Sequence, residues 1–288
     1  MRLALALDRQ ARRGVVINAD SAQVYADLAV LSARPSADEM QGAEHRLFGA
    51  WDGAVACSAA DWARAASAEI AEIHASGGVP ILAGGTGLYI RTLLEGIAPV
   101  PPINPAVRDE VRAMPVAEAH AALAREDPDR AALLAPADTA RITRALEVVR
   151  STGQPLATWQ TQKSGGIGGA VCLHPLVILP ERQALYARCD LRFARMLAGG
   201  AVDEVKALLA RRLDPALPVM RAIGVPEIAA YLDGSLSLEE AELAGAQATR
   251  NYAKRQYTWL RNQLPADWPR IESFDVDISV HFGRLLQH

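Results

Sequence analysis

Apolar residues along this chain switch between two periods. Leu3 and Leu7 share one face of a helix predicted over residues 2–13 and closed by Gly14, and Val15-Val16-Ile17 then reads as a buried strand. The order repeats further on. Trp62, Ala66, Ile70 and Ile73 recur at helical spacing between Asp61 and Ser76, Gly77-Gly78 stops that helix, and Val79–Ala83 forms a second strand. After Gly84-Gly85-Thr86-Gly87 the chain turns helical from Leu88 to Glu95, where Gly96 ends it. Helix, strand, loop and helix in succession predict an α/β fold, with a parallel sheet flanked by helices.

The pattern changes at Pro99-Val100-Pro101-Pro102. From Asn104-Pro105, a cap followed by a first-turn proline, to about Lys163 only helices are predicted. Ile142, Leu146 and Val149 mark the apolar face of the longest one, closed by Gly153 and Pro155. Gly165–Gly169 is a flexible joint, and Leu176–Leu179 brings back a strand. The division expected is an α/β core from residues 1–102 and 164–288, interrupted by a helical insertion at 103–163. What remains is mostly helical. Ala201–Arg212 is amphipathic, and the capping box at Ser237-Leu238-Glu239-Glu240 opens a helix reaching Arg261.

Composition narrows the function classes. Thirty basic residues against 33 acidic ones give a net charge of −3, so a nucleic-acid partner has to rest on local basic clusters. Three cysteines, Cys57, Cys172 and Cys189, have neither metal-ligand nor disulfide-framework spacing, which predicts a reducing, cytoplasmic setting. Leu3–Leu7 is interrupted by Asp8, Arg9 and Arg12 and does not read as a secretory signal, and no run has the length of a membrane span.

Asp20 is the leading candidate for chemistry. It stands just beyond a strand, at the sheet edge where ligands bind in open α/β folds. A carboxylate there can accept a proton, orient an amine or hold hydrated magnesium, and it can equally form an Asx turn. Ser21, Gln23 and Tyr25 add polar groups beside it. Gly84-Gly85-Thr86-Gly87 places small residues and a hydroxyl at a helix N-terminus; such a turn favours an anion, and it also arises for purely geometric reasons. Positive charge gathers at Arg141, Arg144 and Arg150, and again at Arg250, Lys254, Arg255 and Arg261. In the second group Tyr252, Tyr257 and Trp259 are interleaved. These helices could track an RNA backbone, or simply be solvated faces, with Trp259 turned to the core.

Asn18–Tyr25 and Gly84–Tyr89, together with Arg108, Arg141, Arg144, Met220–Gly224 and Lys254–Arg261, resemble the tRNA dimethylallyltransferases, also called tRNA isopentenyltransferases. The resemblance covers about residue 2 to Arg261. It implies a P-loop NTPase-like sheet with a helical insertion that contacts tRNA. It implies transfer of a dimethylallyl group from dimethylallyl diphosphate to the exocyclic amine of the adenosine beside the anticodon, in a monomeric enzyme using Mg2+. Asp20 would be the base, Thr86 would hold the target nucleotide, and Arg221 would be a cation for the diphosphate. Asp20, Ser21, Ala22, Gln23, Thr86, Arg108, Arg141, Arg144, Lys254, Arg255 and Arg261 would contact tRNA.

The sequence departs from the family pattern in three places. The Gly-x-x-x-x-Gly-Lys-Ser/Thr loop expected before Arg2–Arg13 does not occur, and Gly84–Gly87 lacks its lysine. Ala140 and Thr143 stand where relatives have polar residues, and Val225-Pro226 replaces a Tyr-Arg pair. A missing first strand would remove several buried aliphatic side chains, each worth about 1.5–3 kcal/mol. The expectation is therefore that the natural chain begins upstream of Met1 with that strand and loop. The alternatives are an inactive, tRNA-binding remnant and a related enzyme that prenylates free adenine nucleotides.

Overall fold

The first apolar run becomes β1 (Gly14–Ala19), all six of whose residues are buried, in a computed structural model that describes residues 1–287. Parallel strands β2 (Glu44–Arg46) and β3 (Val79–Gly84) flank it in the order β2-β1-β3. Continuous burial of β1 is what a central parallel strand requires, and its Gly-Val-Val-Ile run supplies it. β3 lies at the edge of this sheet, and Leu82 is 37% exposed.

Helix α1 (Arg2–Asp8) is shorter than the 2–13 helix expected. The chain must reverse to enter β1, and it does so through Arg9–Arg13, with Ala11 at a φ of 58°. The Asp8 carboxylate accepts the Gly14 N–H at 3.0 Å. Gly14 itself lies against α1, where a Cβ would stand 2.7 Å from the Ala4 Cα. After the short α2 (Ala37–Met40) comes α3 (Ala59–Ala75), opened by a Ser58/Asp61 capping box. It buries Trp62, Ile70 and Ile73 along the predicted face. α4 (Gly87–Glu95) follows the glycine-rich turn.

Two compact units result, Met1–Leu93 with Ala170–His288, and Leu94–Gly169. The second unit thus starts before residue 103 and ends after residue 163. It contains α5 (Pro105–Ala113), α6 (Val116–Glu126), α7 (Pro128–Ala132), α8 (Thr139–Thr152) and α9 (Leu156–Gln160). Val111, Leu123, Ile142 and Leu146 make its core. Glu147, only 3% exposed, is held there by Arg112 at 3.0 Å and Arg144 at 3.8 Å.

In the first unit, β4 (Val177–Ile178) answers the strand expected near Leu176, but its partner is β5 (Arg270–Ile271), in a separate two-stranded parallel sheet. A strand of two residues offers too few backbone groups to reveal its partner in a sequence. α10 (Arg182–Met196) passes through a π turn, Leu197–Ala201, into α11 (Val202–Ala210). A short 3-10 turn, Pro218–Arg221, leads to α12 (Val225–Leu232), then α13 (Leu238–Gln263) and α14 (Ile278–Leu286). The predicted capping box of α13 forms, with the Ser237 hydroxyl accepting the Glu240 N–H. No helix among the described residues is long and apolar enough to cross a membrane.

At the end of the sheet Gly84 pairs with Ala19 at a φ of 157°. A Cβ there would lie 2.3 Å from the Ala19 carbonyl carbon, a backbone atom that cannot swing aside. Gly84→Ala is expected to lower stability by about 1–3 kcal/mol, the range for overpacking a filled site. Urea denaturation measures it, and an unchanged midpoint would contradict the geometry.

Candidate functional site

The site begins where β1 stops. Asn18, fully buried, accepts the Asp20 N–H at 2.8 Å and donates to the carbonyls of Asp20 (3.0 Å) and Leu47 (3.2 Å). These bonds turn the backbone sharply and lift Asp20 out of the sheet. Both sequence readings of Asp20 meet here. Its Oδ1 accepts the Ala22 N–H at 2.8 Å in an Asx turn, while among the described residues Oδ2 has no hydrogen-bond partner. One oxygen fixes the carboxylate and the other is available to a substrate.

Thr86 closes the other side. Its N–H donates to the Ala19 carbonyl at 3.1 Å. Its hydroxyl accepts the Ser21 N–H at 2.9 Å and donates to Ser21 Oγ at 3.3 Å. Ser21 and Thr86 are therefore one hydrogen-bonded group, and Asp20 stands next to it in the chain.

The glycine-rich turn is not an open anion cradle, because α13 covers it. A Cβ on Gly85 would stand 2.1 Å from Gln256 Nε2, and one on Gly87 would stand 2.3 Å from the Trp259 ring. Tyr252, Gln256 and Trp259 are spaced i, i+4, i+7 and so share one face of the helix. Tyr252 carries a phenol at the N-terminal end of that face. Burial raises its pKa, and the negative charge of Asp20 raises it further. The Arg255 guanidinium lies 5.8 Å from the Tyr252 ring centroid.

Beneath the site is a pillar of aromatic rings and a thiol. Trp62 stacks on Tyr89 at 4.6 Å and donates to the Asn18 carbonyl at 2.9 Å. The Tyr25 hydroxyl accepts the Cys57 N–H at 3.1 Å. Burial pushes the Cys57 thiol and both tyrosines upward, so all three stay protonated at neutral pH.

The loop after Asp20 is clamped from α11. The Glu204 carboxylate accepts N–H groups from Ala29 (2.5 Å), Val30 (2.9 Å) and Leu31 (2.8 Å). Arg211 pairs with Asp27 and, at 2.6 Å, with Asp52. Gln23 faces this loop as well, donating its amide to the carbonyls of Ser32 and Ala33 at 3.1 Å each. That leaves only its oxygen for a ligand.

The remaining sequence candidates lie outside the hydrogen-bonded group. Arg221 is exposed and donates to the Ala216 carbonyl at 2.5 Å. Lys254, Arg255 and Arg261 are exposed on α13 and form no ion pair among the described residues, whereas Arg250 is held by Asp190. In the second unit, Arg141 is 71% exposed beside Asp138, Arg144 faces the buried Glu147, and Arg150 is paired with Glu110 and Glu126. The Arg108 Nε is buried without a hydrogen-bond partner among the described residues. No group of three or more His, Cys, Asp or Glu residues among the described ones could hold a metal. Sequence reasoning missed Asn18, Glu204 and the inward turn of Tyr252. Only the last left a signal, the i, i+4, i+7 spacing with Gln256 and Trp259.

Residues 23–263 match the protein family described as IPP transferase. The chain is 65% identical over 288 residues to a tRNA dimethylallyltransferase of Erythrobacter litoralis, spanning all of this chain and 91% of that protein. It is 70% identical over 273 residues to one of Novosphingobium aromaticivorans, spanning 95% and 97%. Among solved structures, a tRNA isopentenylpyrophosphate transferase of Bacillus halodurans matches with a TM-score of 0.66 at 32% identity, over 99% of this chain and 89% of that one. A eukaryotic dimethylallyltransferase acting on tRNA matches with a TM-score of 0.80 at 25% identity, over 99% and 73%.

Removing the Glu204 carboxylate leaves three loop N–H groups without their acceptor. Glu204→Ala is expected to cost about 1–3 kcal/mol and to speed amide exchange at Ala29, Val30 and Leu31 more than in the neighbouring sheet. Exchange at those three amides that stays at the wild-type rate would refute the clamp.

Proposed function

The chain belongs to the IPP transferase family, and from that premise we propose that it transfers a dimethylallyl group from dimethylallyl diphosphate to the N6 amine of the adenosine beside a tRNA anticodon. The observation that carries this reading is the Asp20 carboxylate, fixed through Oδ1 and open at Oδ2, tied through Ser21 to the Thr86 hydroxyl. An exocyclic amine is a weak nucleophile because its lone pair is delocalised into the ring. As the new C–N bond forms, the Asp20 Oδ2 takes the amine proton, and the allylic C–O bond breaks with its electron pair leaving on the diphosphate. Thr86 holds the nucleotide beside that oxygen.

The departing anion needs positive charge or N–H donors aimed at its oxygens. Arg221 is the residue this reading assigns to it, exchanging its bond to the Ala216 carbonyl for a diphosphate oxygen. Magnesium bound with the diphosphate would supply part of that positive charge and would need at most one or two protein ligands.

For tRNA, the reading takes the exposed cations of α13, Lys254, Arg255 and Arg261, as backbone contacts. It takes the Leu94–Gly169 unit as a tRNA-contacting domain through Arg108, Arg141 and Arg144, with Arg141 more exposed than Arg144. Ser21, Ala22 and Gln23 contact the nucleotide end. The first unit is the catalytic domain, the molecule a monomer, and the cytoplasm its compartment.

Asp20→Asn keeps the shape and the Asx turn but cannot take a proton. It is expected to lower the transfer rate by about 10²–10⁴-fold, with filter retention of tRNA close to wild type. Near-normal turnover in that variant would remove Asp20 from the role of base.

A further inference from the structure

Glu147 sits on α8 where that helix packs against α5, and its side chain is only 4% exposed. A carboxylate so far from water has to be paired. Two arginines from two helices share it. Arg112 on α5 donates its Nε–H to Oε1 at 3.0 Å, and Arg144 on α8 sets a terminal nitrogen 3.8 Å from Oε2. The arginine side chains themselves are 63% and 45% exposed. One buried acid thus holds an end of each guanidinium and leaves the rest to solvent. Arg150, one turn further along α8, is the contrast: Glu110 and Glu126 enclose it, and its side chain is 21% exposed.

The direction of the Arg112 bond decides what that arginine can still do. Guanidinium is a planar fork of five N–H donors. Meeting Glu147 through Nε leaves both terminal nitrogens, the edge that takes two oxygens of one phosphate at once. Neither Arg112 nor Arg144 pairs with a second carboxylate among the described residues. One turn before Arg112, on the same side of α5, comes Arg108, whose buried Nε has no hydrogen-bond partner among those residues. We infer that Arg112 is a further RNA-contacting residue and Glu147 a positioning residue: the buried carboxylate aims Arg112 and Arg144 outward as a paired grip on backbone phosphates of the RNA. Both arginines touch the same acid, so they serve one phosphate or two neighbouring ones. Their rotamers are set before the strand arrives, which lowers the entropy lost on binding.

This inference rests on the reading of the Leu94–Gly169 unit as tRNA-contacting, and the experiment separates the two. Filter retention of a tRNA transcript is measured from about 50 to 200 mM salt, with melting temperatures and prenyl transfer followed alongside. The proteins are wild type, Arg112→Gln, Glu147→Gln, the double variant Arg112→Gln/Glu147→Gln, and Arg125→Gln, an exposed charge on α6 as control. The double variant keeps the net charge of wild type and leaves no buried carboxylate short of a partner, so it carries the test if a single variant fails to fold. Arg112→Gln and the double variant should retain tRNA about threefold to tenfold more weakly. Their plots of log affinity against log salt should be shallower by about 1, and kcat at saturating tRNA should be unchanged. Glu147→Gln should also weaken retention, although it makes the unit more basic. A double variant that retains tRNA as wild type does, or an equal loss of slope in Arg125→Gln, overturns the grip and leaves the tRNA reading standing. Retention in Glu147→Gln as tight as wild type or tighter overturns the positioning role. A wild type that neither retains nor prenylates tRNA overturns the reading beneath both.

Discussion

The site depends on one close backbone approach, at the point where β3 ends against β1. Only a residue without a Cβ can lie where Gly84 does, over the Ala19 carbonyl. That approach lets the Thr86 N–H reach the same carbonyl and lets the Thr86 hydroxyl bond the Ser21 N–H. Two loops following two different strands are thereby locked into one rigid group. A carboxylate on a free loop would sample many positions. Here its direction is set by the end of a fully buried strand, by the Asn18 side chain and by the Asx turn.

The second constraint comes from α13, which performs two tasks on two faces. Gln256 and Trp259 seal the glycine-rich turn, and this is why Gly85 and Gly87 have no room for side chains. Lys254, Arg255 and Arg261 remain exposed. The glycines therefore serve packing, and the phosphate-cradle reading of that turn loses its physical basis. α11 completes the frame by holding the loop after Asp20 through Glu204 and Arg211. Charge-assisted bonds to three consecutive N–H groups fix that loop without burying it completely.

Much of this was legible in the residues. The strands β1 and β3, the capped helices α3 and α13 and the all-helical stretch after Pro102 follow from apolar spacing and punctuation, which local sequence carries directly. The position of Asp20 just past a buried run, and of Thr86 inside the second motif, followed in the same way. What stayed hidden depends on distant partners. β4 and β5 have two residues each and find one another across more than ninety positions. Glu204 looks like any acid in an amphipathic helix until the Ala29–Leu31 amides are folded onto it. Arg221 carries nothing in its neighbours to reveal that its guanidinium turns to Ala216. The first helix stops at Asp8 because β1 needs a reversal there, a tertiary demand that helical spacing alone does not contain.

The tie between the two loops can be tested through the Thr86 hydroxyl alone. Single-turnover transfer should survive in Thr86→Ser, which keeps the oxygen that receives the Ser21 N–H. It should fall at least about tenfold in Thr86→Val, which keeps the shape and loses the bond. If the valine variant transfers as fast as wild type, the lock between the strand ends is not what makes the site.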